Sequence, residues 1–205
     1  MVHYRLTYFQ ARGAAEVTRQ LFALAGQTFE DVGFSLQEWP KHKHEMPFEQ
    51  MPVLEVDGKQ LAQSHTIARF VARQFGFAGK GAFEEAVVDS IADQFKDFAT
   101  EVRPYFLVSV GFAPGDAVAL AKDLLLPARE KFFTFITGFL KNNKSGFLVG
   151  NSVTWADLLV AEMSVQYNGV PDFYKGFPEV KAHSEKVHSI PALVKWIARR
   201  PKTPF

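Results

Sequence analysis

Met51-Pro52-Val53-Leu54-Glu55-Val56-Asp57-Gly58-Lys59-Gln60-Leu61-Ala62-Gln63-Ser64 is the stretch on which the fold of the first half turns. Two short strand-like runs flank Asp57-Gly58, and Asp-Gly supplies the positive φ angles of a type I′ turn, so the stretch predicts a β-hairpin. Pro52 opens it, either as a cis proline or as the first residue of a strand, where proline is tolerated. Ser64 stands where it can cap a helix carrying Ile67, Phe70 and Val71, which stops at Gly76.

Toward the N-terminus, Val2, Tyr4, Leu6 and Tyr8 alternate with His3, Arg5 and Thr7, the period of a strand with one buried face. Beyond a loop holding Arg12 and Gly13, Ala14 to Ala25 reads as a helix with Val17, Leu21 and Leu24 on one side and Gly26 at its C′ position. A weak strand follows near Phe29 to Val32. The first half is therefore β-α-β, a long loop, then β-β-α.

Toward the C-terminus the strand pattern ends. Gly76-Phe77-Ala78-Gly79-Lys80-Gly81 has the glycine density of a linker. Phe83, Val87, Ile91, Phe95, Phe98 and Val102 then recur at three- and four-residue steps, predicting an amphipathic helix that runs until Pro104. Val118 to Leu140 reads as a second long helix, kinked near Pro127. In Val153-Thr154-Trp155-Ala156-Asp157-Leu158, Thr154 and Asp157 have the spacing of a capping box. Shorter helices are expected around Glu179 to Ser189 and Ala192 to Arg199. The division is residues 1–78, an α/β domain, and residues 81–205, all-helical.

Composition narrows the function. Of 205 residues, 23 are Lys or Arg and 22 Asp or Glu, a net charge of +1 that offers no electrostatic case for nucleic acid or an anionic membrane. There is no cysteine, which excludes disulfides, thiolate metal sites and a cysteine nucleophile. The start of the chain lacks the apolar stretch of a signal peptide, and the apolar run Pro104 to Pro114 is too short to span a bilayer, so a cytoplasmic protein is expected. His42-x-His44-Glu45 lies in a lysine-rich loop without further clustered ligands, and no metal is expected. His65, His183 and His188 are expected at the surface or at helix caps. The 21 phenylalanines imply a heavily aromatic interior or a greasy binding surface.

A β-α-β plus β-β-α unit with a proline opening its hairpin resembles a thioredoxin-like domain with a mixed four-stranded sheet. A wider set of residues carries a closer likeness: Tyr4-x-Leu6-Thr7-Tyr8-Phe9, Arg12-Gly13-x-Ala15-Glu16, Glu38-Trp39-Pro40, Pro47-Phe48, Pro52 through Gly58, and Gln63-Ser64. With Gly150 through Leu158 and the tail Ile190-Pro191-Ala192 to Pro201, these resemble the sigma class of cytosolic glutathione transferases, in its nematode form, and are similar to haematopoietic prostaglandin D synthase. The resemblance implies an enzyme of detoxification that conjugates the thiolate of glutathione to small hydrophobic electrophiles, acting as a homodimer.

The resemblance also implies roles. Tyr8 would donate a hydrogen bond to the sulfur; a thiol with a pKa near ~8.5 needs such a donor to ionise at neutral pH. Ser64 and Gln63 would hold the γ-glutamyl carboxylate at a helix N-terminus. Trp39 and Lys43 would hold the glycyl carboxylate, and Glu49, Gln50, Met51 and Pro52 would line the strand-like contact with the tripeptide. Asp97 would reach the γ-glutamyl ammonium from a partner subunit. It belongs to an acidic run, Glu85, Asp89, Asp93, Asp97 and Glu101, expected to face Arg69 or Arg73 of that subunit. The electrophile pocket would be lined by Phe9, Gly13, Ala14, Tyr105, Phe106, Phe112 and Phe205. Ala14, Arg103-Pro104-Tyr105 and Lys96-Asp97 depart from the synthase at its arginine, its pocket tryptophan and its metal-linked aspartates, which counts against prostaglandin isomerisation and metal activation. The rival reading is a carrier of haem or lipophilic compounds on the same fold.

Overall fold

The computed structural model describes residues 2–167 and 169–203. Contacts group the chain into two compact units, one of residues up to Phe77 together with those from Ile190 onward, the other Ala78–Ser189. The last helix thus belongs in space with the first unit, whereas the sequence division follows chain order.

In the first unit, β1 (Tyr4–Phe9), α1 (Glu16–Ala25), β2 (Glu30–Phe34), a one-turn α2 (Trp39–His42), β3 (Val53–Val56), β4 (Lys59–Ala62) and α3 (Ser64–Phe75) follow in order. The sheet runs β2-β1-β3-β4, with β1 and β2 parallel and the other pairs antiparallel. This is the mixed four-stranded sheet expected of a thioredoxin-like domain. Asp57 and Gly58 have φ of 47° and 82°, as the type I′ turn requires, and the Met51–Pro52 bond is cis. Leu6 and Leu54 pair across β1 and β3 and are fully buried, as are Leu21, Phe22, Ile67 and Val71 from α1 and α3. Two corrections fall here. The second strand lies later than the weak signal at 29–32, and Ser64 is the first helical residue while Gln63, at φ 74°, occupies the cap position.

The second unit holds α4 (Gly81–Glu101), α5 (Arg103–Ser109), α6 (Ala117–Leu120), α7 (Leu126–Asn142), α8 (Trp155–Gln166) and α9 (Pro178–His188); α10 (Pro191–Arg199) rejoins the first. The expected kink near Pro127 is a turn of π-helix, Ala121–Leu125, that separates α6 from α7 just before the proline. Pro104 does not merely end a helix; it occupies the first turn of α5, where its missing N–H costs nothing. Some of the phenylalanine is interior. Phe98 stacks on Phe132 at 5.2 Å, and Phe133 meets Phe173, Tyr174 and Phe177 at 5.3–5.6 Å.

One polar residue organises this unit. Asp157, fully buried, accepts hydrogen bonds from the Leu148 amide (2.8 Å), the Thr154 amide (2.7 Å) and the Thr154 hydroxyl (2.7 Å), and its Oδ1 lies 2.8 Å from His183 Nε2. The capping box is present, and it extends to α9. His183, at 2% exposure, is therefore a core residue and not a surface or capping one. Replacing Asp157 by Ala strands several buried donors, and we expect a loss of about 3–5 kcal/mol in a chemical denaturation experiment.

Candidate active site

The site grows from the end of β1. Tyr8 is half-buried, and the loop that follows returns a backbone amide to it: Ala14 N donates to Tyr8 Oη at 3.2 Å. That approach depends on Gly13, which has φ 40° and no side chain. A Cβ there would stand 2.6 Å from Oη and 2.9 Å from the ring. The Arg19 guanidinium lies 6.0 Å from the ring centroid. Burial pushes the phenol's pKa above the ordinary tyrosine value, while the Ala14 amide and the Arg19 charge pull it down. The phenol is thus a donor throughout the neutral range, with one lone pair already engaged.

From Tyr8 the site continues as a chain of rings. Phe9 meets Tyr8 edge-on at 5.4 Å and Trp39 edge-on at 5.6 Å. Trp39, together with Met51 and Phe34, packs against the small core of Met46, Val53 and Ala62, which seats α2 beside the hairpin. The segment read as a plain loop is therefore ordered by α2 and a following 3-10 turn, Lys43–Glu45. Lys43 Nζ sits 3.2 Å from Glu49, so the expected carboxylate-binding ammonium already has an acidic neighbour that a ligand would share it with. Glu49 and Gln63 both have positive φ, and Gln63 Nε2 donates to Gln50 Oε1 at 3.4 Å. Tyr8, Phe9, Gly13, Ala14, Trp39, Lys43, Glu49, Gln50, Met51, Gln63 and Ser64 thus belong to one linked set of loops and strand ends in the first unit. The first amides of the twelve-residue α3, at Ser64, add a site suited to an anion.

The other expected residues lie in the second unit. Asp97 is exposed on α4 and accepts from Gln94 Nε2 at 3.0 Å; along the same helix, Glu101 lies 4.0 Å from Lys131. Tyr105 and Phe106 are half-buried on α5, with Tyr105 6.1 Å from the Tyr167 ring and its phenol's pKa raised by burial. Phe112 is half exposed, and Phe205 lies outside the described residues. Among the described residues no group of three or more His, Asp or Glu is placed to hold a metal ion.

Sequence reading missed the buried charges behind the loop. Glu16, at 1% exposure, accepts from Trp196 Nε1 at 2.8 Å and from Arg200, and Arg19 binds Asp31 at 2.9 Å and the Ala11 carbonyl at 2.8 Å. The apolar period of α1 gives no sign that Glu16 faces inward. Arg19 and Gln20 on its own helix, together with Trp196 and Arg200 far along the chain, offset the cost of that placement.

Folding raises the Tyr8 pKa, so the stability tied to its protonated form is whole below the unfolded value of about 10 and is lost as pH rises through the folded value. In an alkaline absorbance titration Tyr8→Phe should remove one tyrosinate step lying above that of free tyrosine. Gly13→Ala should displace the phenol, lowering that step, and destabilise the protein by about 1–3 kcal/mol through strain at positive φ.

Comparison with known proteins identifies the family. The family model described as "Glutathione S-transferase, N-terminal domain" matches residues 4–73, and "Glutathione S-transferase, C-terminal domain" matches residues 96–200. The chain is 55% identical to "Probable glutathione S-transferase 5" of Caenorhabditis elegans over the whole of both chains. Among solved structures it is similar to a Nu-class enzyme from Haemonchus contortus (64% identity, all of both chains, TM-score 0.93). It is also similar to a glutathione S-transferase of Necator americanus described as monomeric (62%, 99% and 100% coverage, TM-score 0.97). More distant is rat hPGDS complexed with a quinoline (31%, 99% and 100%, TM-score 0.87).

Proposed function

The chain belongs to the glutathione S-transferase family and is an enzyme of glutathione conjugation, and from that premise we propose that Tyr8 is the residue that stabilises the glutathione thiolate. The observation that carries this role is the Ala14 amide on Tyr8 Oη. With a donor already on the oxygen, the hydroxyl hydrogen is directed away from the loop and is a stronger donor to a sulfur on its open side. Each pKa unit by which the thiol is lowered corresponds to about 1.4 kcal/mol of preference for the anion, and the enzyme adds the proximity of a bound electrophile. The thiolate carbon–sulfur bond forms as the electrophile's leaving group departs with its electron pair, or as its double bond takes up a proton.

In this reading Trp39 and Lys43 hold the glycyl carboxylate, Lys43 by exchanging part of its contact with Glu49. Gln50 and Met51 pair with the cysteinyl backbone, flanked by Glu49 and Pro52, and Gln63 with Ser64 receives the γ-glutamyl carboxylate at the start of α3. On the electrophile side, Ala14 in place of an arginine favours bulky apolar electrophiles. The protein is a sigma-like homodimer in which Asp97 of one subunit completes the other's site, and it acts in the cytoplasm without a metal. Against these finer points, one similar structure is described as Nu-class and another as monomeric. Among the described residues no helix is long and apolar enough to cross a membrane. Neither the haem or lipophile carrier nor the prostaglandin isomerase has an observation of its own in its favour.

Turnover with a generic aromatic electrophile tests the assignment. Tyr8→Phe should lower kcat/KM about 10- to 100-fold at neutral pH, one to two units of thiol pKa, with KM for glutathione little changed. Lys43→Ala should do the reverse, raising KM for glutathione at nearly constant kcat, because it removes binding common to ground and transition states. Full activity in Tyr8→Phe would remove Tyr8 from the mechanism.

A further inference from the structure

We propose that Thr203, in the segment following α10, is a positioning residue for the Tyr8 phenol and acts through Arg12. The inference rests on the assignment of Tyr8 above. Arg12 belongs to the loop between β1 and α1, and both its ends are held by the same residue: its backbone amide donates to Thr203 Oγ1 at 3.3 Å, and its Nη2 donates to the Thr203 carbonyl at 3.3 Å. Two residues farther along the same loop is Ala14, whose amide holds Tyr8 Oη.

The segment that reaches Arg12 is itself fixed. Trp196 and Arg200 both donate to the buried carboxylate of Glu16, at the first residue of α1. The anchors therefore bracket the short stretch Gly13–Ala15, with Arg12 before it and Glu16 after it. Between loop and segment lies a cleft of about 170 Å³, lined by Phe9, Gln10, Ala11 and Arg12 on one side and by Arg200 and Thr203 on the other. Side-chain packing does not fill this space, so hydrogen bonds set the separation of the two stretches of chain.

The consequence for the phenol is geometric. The Ala14 bond is already 3.2 Å long, and hydrogen bonds weaken steeply beyond that range. A loop released at Arg12 shifts the amide off the phenolic oxygen, leaving the hydroxyl free to rotate and less polarised toward the sulfur. Thr203 acts here through Arg12, and its effect is on the thiol pKa.

The test is the pH profile of kcat/KM, together with an ultraviolet absorbance titration of the bound glutathione thiol, for Thr203→Val and Thr203→Ser in both the wild-type and Tyr8→Phe backgrounds. Circular dichroism confirms that each variant is folded. Thr203→Val should move the thiol pKa up by about half to one unit, a three- to tenfold loss in kcat/KM at neutral pH, with KM for glutathione unchanged. Thr203→Ser, which keeps the acceptor, should retain the wild-type profile. In the Tyr8→Phe background Thr203→Val should add nothing. An unshifted profile in Thr203→Val alongside a shifted one in Tyr8→Phe overturns the proposal, as does an equal shift in both backgrounds. An unshifted profile in Tyr8→Phe overturns the assignment of Tyr8 and the role of Thr203 with it.

Discussion

The Ala14 amide reaches the Tyr8 hydroxyl because Gly13, lying over the phenol, has no side chain. A single constraint on the backbone thus determines which way a hydroxyl hydrogen points. The rest of the first unit serves that constraint. The pairing of β1 with β2 and β3 places Tyr8 near a strand end, α1 starts close enough to turn the loop back, and the aromatic contacts from Tyr8 through Phe9 reach Trp39 at the start of α2. A phenol is a weak tool by itself, and it becomes selective only when one lone pair is occupied and its surroundings are half dry.

What can be read from the sequence is what local chemistry dictates. Asp57-Gly58 announces its turn because few other dipeptides tolerate two positive φ angles, and Thr154 with Asp157 announces a helix start because the box is made within four residues. The candidate site at Tyr8, Trp39 and Gln63-Ser64 is suggested by a resemblance to known sequences and not by local chemistry. The illegible parts depend on distant partners. Nothing near His183 says that Asp157 waits for it in the core, and nothing near Glu16 says that Trp196 and Arg200 will compensate its burial. The same holds for the donor to Tyr8: Ala14 is legible as a wall, but its backbone amide has no sequence signature at all.

The two units solve burial differently. In the second, aromatic rings fill the interior, and one carboxylate, Asp157, satisfies the amides that the packing leaves over. In the first, charged groups penetrate the structure: Glu16 and Arg19 are buried and connect to the more exposed Asp31. Buried charge is costly unless fully partnered, and it fixes geometry more strictly than apolar contact does, since a displaced partner leaves an uncompensated charge.

The return of α10 to the first unit also has a temporal side. The chain emerges from the ribosome N-terminal end first, and domains generally fold as units in that order. Glu16 is made early, whereas Trp196 and Arg200 follow the entire helical unit. Throughout synthesis, then, Glu16 has its neighbours Arg19 and Gln20 but not yet the two late donors, Trp196 and Arg200. The unit that carries the phenol becomes complete last although it begins first, so a chain interrupted anywhere in its helical part has a thioredoxin-like sheet without the late contacts that hold the loop after β1.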